Sequence, residues 1–409
     1  MELYFSVSEQ NGEARNHYVI TRAKWCESLQ MMGYRKTKIF LLLLFLVMVE
    51  IQPTFAQEGS YYSISGPCNL NFPKDHEPHP GYRTEWWYYT GNLHSEVGND
   101  YGFQLTFFRR QISPPGADRA WPKPSSMWRT QQVFAAHAAL TDANQKHFYH
   151  AEQMSREMPG LAGVHREAGL TSISVKDWSM SMDGNEHLLE ANAGNFCFKL
   201  KLISQKVPIL HGENGYSRKG AARESASCYY SLTRLQAEGS LSLNGKSIPV
   251  RGTAWMDHEF NSAPLESNLA GWDWFSLQLS DNTELMIYML RKKDGTNSEV
   301  SGGTYVDSSG KVLHLDHDAI GVEVLDHWES PQTGATYPSD WRLRIPPIQA
   351  DLRVHPRFQD QELQTPQTTE ITYWEGSVSA SGSSAGKTVS GEGYVELTGY
   401  AGPMDESMW

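Results

Sequence analysis

The sequence predicts an all-β fold of closed or sandwiched antiparallel sheets, arranged as two units in tandem. Short segments alternate apolar and polar residues with a period of two, tight-turn signals join them, and no convincing amphipathic helix follows residue 57. The first strand is TEWWYYTGNL, Thr84 to Leu93. Alternation sends Trp86 and Tyr88 to one face and Trp87 and Tyr89 to the other. One ring of the Trp86/Trp87 pair should therefore pack in a barrel core, and the other should line the space near where the two units meet. The next strand sets Tyr101, Phe103, Leu105 and Phe107 against Gly102, Gln104 and Thr106. A short helical turn is expected near residues 152–157. Asn244-Gly245 marks a hairpin, because both residues tolerate the positive φ of a type I′ turn. Phe275 to Leu279 and Glu284 to Leu290 flank a turn at Asp281-Asn282, and Ser308-Ser309-Gly310 turns the chain again. Ile371 to Val378 and Gly393 to Leu397 read as strands on either side of a Gly/Ser-rich linker.

Residues 257–270 (DHEFNSAPLESNLA) show little alternation, and the boundary is placed there, giving units 57–262 and 263–409. Glu85-Trp86-Trp87-Tyr88 is echoed by Trp272-Asp273-Trp274-Phe275, one at the head of each unit, which suggests a duplication. Two long loops, 109–131 and 206–227, are candidate lids.

The chain has 409 residues, 39% hydrophobic and 20% charged, as a globular protein does. Its 13 tryptophans and 19 tyrosines demand buried space and polar partners. Arg35, Lys36 and Lys38 precede the apolar run Ile39 to Val49, and Thr54-Phe55-Ala56 follows, the pattern of a signal peptide cleaved after Ala56. Translation is expected to start at Met31 or Met32. The protein is therefore expected to be exported, to the periplasm or beyond. Residues 1–56 hold 6 Lys and Arg against 5 Glu, so removing them takes the net charge from −12 to −13. Such an acidic chain is a poor partner for nucleic acid or anionic membrane. The remaining Cys68, Cys197 and Cys228 allow one disulfide and one free thiol.

Three clusters combine carboxylates with rings. They are Asp75-His76-Glu77-Pro78-His79 with Glu85-Trp86-Trp87-Tyr88, Trp255-Met256-Asp257-His258-Glu259-Phe260, and Trp272-Asp273-Trp274. An acid beside tryptophan is desolvated, which raises its pKa and suits it to act as a general acid. The ring faces can stabilise a cation. Together they fit protonation of an alkene through a short-lived carbocation. A carboxylate at a strand end also serves as a plain hydrogen-bond acceptor. Glu85 and Asp273 are read that way first, and Asp257 is the preferred acid. Pro78 keeps His76 and His79 from sharing a helix face, residues 257–259 are not H-E-x-x-H, and no metal is expected. The serine-hydrolase pattern G-x-S-x-G is absent after residue 56. No helix follows the Gly-rich stretches to hold a phosphate, and no cofactor is expected.

Phe72 to His79 with Thr84 to Leu93, YYSLTRL (229–235), GTAWMDHEF (252–260), GWDWF (271–275), YWEG (373–376) and GYVELTGY (393–400) together resemble the AttH/carotenoid 1,2-hydratase-like family. The resemblance implies two tandem lipocalin-like antiparallel β-barrels with an apolar isoprenoid-type or lipid ligand between or within them. It implies a hydro-lyase that adds water to an alkene, or a non-catalytic carrier whose partners are membrane export components, or a cyclase or hydrolase on the same scaffold. Asp257 would donate the proton, Trp255, Tyr230, Trp272 and Trp274 would surround the cation, and His258 or Glu259 would direct water. Asp273, Glu85, Trp86, Trp87 and Tyr88 would line the substrate space. Where the carotenoid hydratases carry His-x-Trp and Tyr-x-Asp, this chain has Cys228-Tyr229-Tyr230 and Trp255-Met256-Asp257.

Overall fold

The chain is all-β: its described residues hold two antiparallel sheets and, besides strands, only 3-10 turns. The computed structural model describes residues 59–404 except Ser125, Met127, Ala168 and Pro403. The expected start codon, signal peptide and cleavage point lie outside the described residues.

The first sheet contains β1 (Thr84–Ser95), β2 (Asp100–Gln111), β3 (Gln132–Asp142), β4 (His147–Arg156), β5 (Ala162–Glu167), β6 (Leu170–Val175) and β7 (Trp178–Asp183). It continues through β8 (Glu186–Asn192), β9 (Phe196–Ser204), β10 (Ile209–Leu210), β11 (Tyr216–Arg218), β12 (Ala226–Leu243) and β13 (Lys246–Asn261). The second sheet contains β14 (Leu269–Leu279), β15 (Glu284–Lys292), β16 (Gly302–Val306), β17 (Val312–Asp316) and β18 (Gly321–Glu329). It is completed by β19 (Thr336–Ile345), β20 (Ala350–Pro356), β21 (Glu362–Gln364), β22 (Thr372–Ser384) and β23 (Lys387–Leu397).

The first sheet runs β4-β3-β2-β1-β13-β12-β9-β8-β7-β6-β5 and the second β17-β16-β15-β14-β23-β22-β20-β19-β18. Both wind the same way: four strands in reverse, then the last, then the rest in descending order. The first curls into a nearly closed, lipocalin-like barrel and the second into a half-barrel. Each interior is filled by side chains. Trp87, Tyr89, Phe103, Phe107, Trp178 and Phe198 pack in the first, and Phe275, Leu277, Trp341 and Trp374 in the second.

The alternation read in β1 and β2 holds. Trp87 and Tyr89 enter the barrel core with Tyr101, Phe103, Leu105 and Phe107, while Trp86 and Tyr88 turn outward against the second sheet. The sheets approach closely there. A Cβ on Gly102 would meet the Tyr394 hydroxyl at 2.5 Å and Ser377 Cβ at 2.7 Å. Buried polar contacts stitch the faces together. Asn92 Nδ2 donates to Gly393 O at 3.1 Å, and Gln278 Nε2 to Thr233 O and Ala254 O at 2.8 Å.

Three expectations are corrected. Residues 152–156 lie in β4, with no helical turn, because their side chains alternate across a paired ladder with β3. The Gly/Ser-rich linker is the β22–β23 hairpin; glycines in it reflect crowding, since a Cβ on Gly382 would lie 2.1 Å from Asp351 O and one on Gly391 2.6 Å from Gln278 O. Segment 206–227 is not a free lid. It carries β10 and β11, which pair with β12, and it packs on the Cys68–Cys228 disulfide, since Cys68 N donates to Asn214 O at 3.0 Å and a Cβ on Gly215 would lie 3.3 Å from Cys68 Cβ. Cys197 is free. The Asn244-Gly245 turn has φ values of 49° and 78°, as the hairpin requires.

Candidate active site at the sheet junction

β13 pairs with β1 on one side and β12 on the other, which decides what each of its residues can reach. Asp257 lies opposite Tyr88 and Ser231, His258 opposite Trp87 and Tyr230, and Glu259 opposite Trp86 and Tyr229. Successive side chains leave a strand on opposite faces. Asp257, Glu259, Trp255, Tyr229 and Ser231 therefore face the second sheet, while His258 and Tyr230 face the first barrel's interior.

Asp257 is 4% exposed. Its Oδ1 accepts hydrogen bonds from Trp255 Nε1 at 2.6 Å and from the Ser231 hydroxyl. Its Oδ2 accepts from the Tyr229 hydroxyl at 2.6 Å, and that oxygen accepts from Trp274 Nε1 at 3.0 Å. Burial pushes the Asp257 carboxyl up to about 7; the three donors oppose the shift and Glu259 adds to it. The surrounding wall is aromatic. Tyr88, Tyr229, Trp255, Trp274, Met286 and Tyr394 form one cluster, edged by the part-buried Trp86, Trp272 and Tyr288. Tyr88 and Trp274 meet edge to face at 5.3 Å, and Trp255 and Trp274 at 6.2 Å.

Other acids share this junction. Lys219 Nζ is 2.9 Å from Glu259 Oε1 and lies over the rings of Tyr229 at 5.0 Å and Tyr288 at 5.1 Å. Trp272 Nε1 donates to Glu396 Oε1 at 2.8 Å, and burial raises Glu396 to about 7 against that bond. The Tyr88 hydroxyl donates to Glu375 Oε1 at 2.6 Å, and burial raises Glu375 well above the usual range. The register makes a pair of echoes: Trp86 faces Glu259 in the first sheet, and Trp274 faces Glu396 in the second.

A second network occupies the mouth of the first barrel. Glu85 accepts from Arg109 Nε at 2.7 Å, from His79 N at 3.0 Å, and from ring nitrogens of His79 at 2.7 Å and His258 at 2.8 Å. Burial alone would raise Glu85, but Arg109 and these donors outweigh it and hold the carboxyl well below the usual range. His258 is pushed down to about 4 by burial, against the pull of Glu85. Its Nδ1 lies 2.9 Å from the Tyr230 hydroxyl, which reaches His76 Nδ1 at 2.6 Å. Glu85 is thus the strand anchor expected of it. Donor atoms of His79, Glu85 and His258 lie within 4.8 Å of one another, close enough to hold a metal ion, although Arg109 already engages the carboxylate.

Of the residues singled out in the sequence, the structure brings Asp257, Glu259, Trp255, Trp272, Trp274, Trp86 and Tyr88 to one junction. It places the others elsewhere. His258 and Tyr230 lie on the far face of β13 and β12, turned away from Asp257. Glu85 and Trp87 are in the first barrel. Asp273 lies on the face of β14 opposite Trp272 and Trp274, where Arg291 Nε donates to it at 2.8 Å and the Tyr400 hydroxyl at 3.0 Å. Tyr229, Ser231, His211, Lys219, Glu375 and Glu396 were missed. Counting by twos along β12 from its partner residues on β13 would have found Tyr229 and Ser231.

The model of the family described as AttH-like matches residues 63–400. A dehydratase, asqC, of Emericella nidulans is 23% identical over 253 residues, which span 58% of this chain and 66% of that protein, a little under two thirds. A solved Nitrosomonas europaea structure described as an AttH is 31% identical, with a TM-score of 0.72, over 83% of this chain and 99% of that one. Kievitone hydratase of Nectria haematococca is 18% identical, with a TM-score of 0.62, over 84% and 98% of the two chains, a likeness of fold.

Proposed function

The chain belongs to the AttH-like family, and from that premise we propose that it is a hydro-lyase that adds water to an alkene in an apolar, isoprenoid-type substrate. The observation that carries this reading is the buried Asp257 carboxyl, raised to about 7 and set among the rings of Trp255, Tyr229, Trp274 and Tyr88 between the two sheets. Protonated Asp257 gives its proton to one alkene carbon. The tertiary cation left on the other carbon faces Trp255, Trp274, Tyr88 and Tyr229, whose ring faces stabilise it. Glu259, ion-paired with Lys219 on the same face of β13, takes a proton from the attacking water. The reverse sequence removes water. The names of the dehydratase and hydratase relatives support the same reaction class.

Export is part of the same reading, and the Cys68–Cys228 disulfide suits an oxidising compartment. The test is incubation of the purified protein with a panel of isoprenoid alkenes in ¹⁸O-water, followed by mass spectrometry. A labelled alcohol whose yield falls above pH 7 is expected. Absence of any hydrated product across the panel and across pH 5 to 9 would refute the reading.

A further inference from the structure

Asp257 is connected to more than its rings. The Ser231 hydroxyl that bonds Asp257 Oδ1 also lies 2.6 Å from His211 Nε2, and His211 Nδ1 lies 2.9 Å from Thr304 Oγ1. Ser231 and His211 are fully buried, and Thr304 is nearly so. His211 comes from the segment after β9, and Thr304 from β16 of the second sheet. The chain of contacts therefore crosses from one sheet to the other. Its outer neighbour is His314, the cross-strand partner of Thr304, which is exposed.

We infer that Ser231 and His211 form a proton relay that recharges Asp257 from the second sheet while substrate covers the junction. The inference rests on the hydro-lyase reading for its role in turnover, but the relay itself can be observed without substrate.

Hydrogen-bond bookkeeping allows two arrangements. When Asp257 is ionised, Ser231 donates to it, His211 Nε2–H donates to Ser231, and Thr304 donates to His211 Nδ1. When Asp257 is protonated, it donates to Ser231, Ser231 donates to His211 Nε2, and His211 Nδ1–H donates to Thr304. Passing from the first to the second takes in one proton at Nδ1, moves the Nε2 proton to Ser231, and moves the Ser231 proton to Asp257. That proton replaces the one given to the alkene carbon. The proton lost by the attacking water leaves through Glu259, so the cycle balances. His211 stays neutral throughout, since burial holds it well below its ordinary value.

Several charged and titratable groups surround the relay. Glu259 on β13, Tyr229 on β12, Tyr88 on β1 and Glu396 on β23 face Asp257, and Lys219 pairs with Glu259 and lies over the Tyr229 ring. Tyr229, with its ring 4.3 Å away, Lys219 and His314 face His211. Partial burial lowers His314 from its ordinary value of 6.5, against the pull of Asp316.

The experiment is ¹⁵N NMR of the histidine side chains in the intact protein from pH 5 to 9. His211 should switch from the Nδ1–H to the Nε2–H tautomer with a midpoint near 7, matching Asp257. Asp257→Asn should hold one tautomer at every pH. Ser231→Ala should uncouple His211 from an Asp257 that still titrates. A His211 tautomer that does not change in the wild type, or conversion of His211 to imidazolium over this range, would overturn the relay. A negative hydration assay with an intact tautomer switch would instead count against the hydro-lyase reading alone.

Discussion

Replacing Asp257 with asparagine tests the acid through stability as well as rate. The folded carboxyl titrates at about 7 against an ordinary value of 3.8. Between those values the folded state holds a proton that the unfolded chain has lost. Stability should therefore fall as pH rises through the window, at about 1.4 kcal/mol per pH unit. From pH 5 to pH 7 that is about 3 kcal/mol from this one group. Asparagine cannot ionise, so Asp257→Asn should remove this group's share of the slope, while Glu396, Glu375 and Asp273, raised in the same direction, keep theirs. Urea denaturation of both proteins at pH 5, 6, 7 and 8 gives the comparison directly. The variant should also lose about 10² to 10⁴ in rate, the usual contribution of a placed general acid. Parallel stability curves for the two proteins would refute the raised carboxyl and, with it, the reason for choosing Asp257.

Tyr229→Phe removes the donor to Asp257 Oδ2, so the carboxyl should rise further and the alkaline limb of the pH–rate profile should move up; a downward move would contradict the assignment. The same change strands the Trp274 N–H and should cost about 1–3 kcal/mol in urea denaturation. Glu85→Gln leaves Arg109 buried without its partner carboxylate and should cost about 3–5 kcal/mol; a loss below about 1 kcal/mol would show that the pair is not the anchor of β1. His258→Gln should lower stability yet keep kcat within a few-fold, because His258 faces the barrel interior; a loss as large as that of Asp257→Asn would return His258 to the role of base.

The barrels were legible because their signal is local. In β1 and β2 an alternating run of rings names its own faces, and Asn244-Gly245 names its own turn. The site was legible only in part. Asp257, Glu259 and the junction tryptophans were visible as acids among rings, but adjacency in sequence joined His258 and Asp273 to them. A strand separates neighbours and unites alternate residues, so the same period of two that found the sheets also divides Asp257 from His258. His211 and Lys219 were hidden for a different reason. They sit in a segment rich in glycine and proline that reads as a loop, and only pairing with β12 and packing on the second sheet bring them to Asp257. The glycines and serines of the β22–β23 hairpin misled similarly, because composition cannot distinguish a flexible tether from strands that need small residues where β14 packs close.

The most direct test of the account is the origin of the new C–H bond. With an isoprenoid alkene that the protein turns over in D₂O, wild type should place one deuterium on one face of the protonated carbon, and Asp257→Asn should form no such bond above background. Deuterium delivered equally to both faces, or undiminished delivery by Asp257→Asn, would contradict Asp257 as the proton donor.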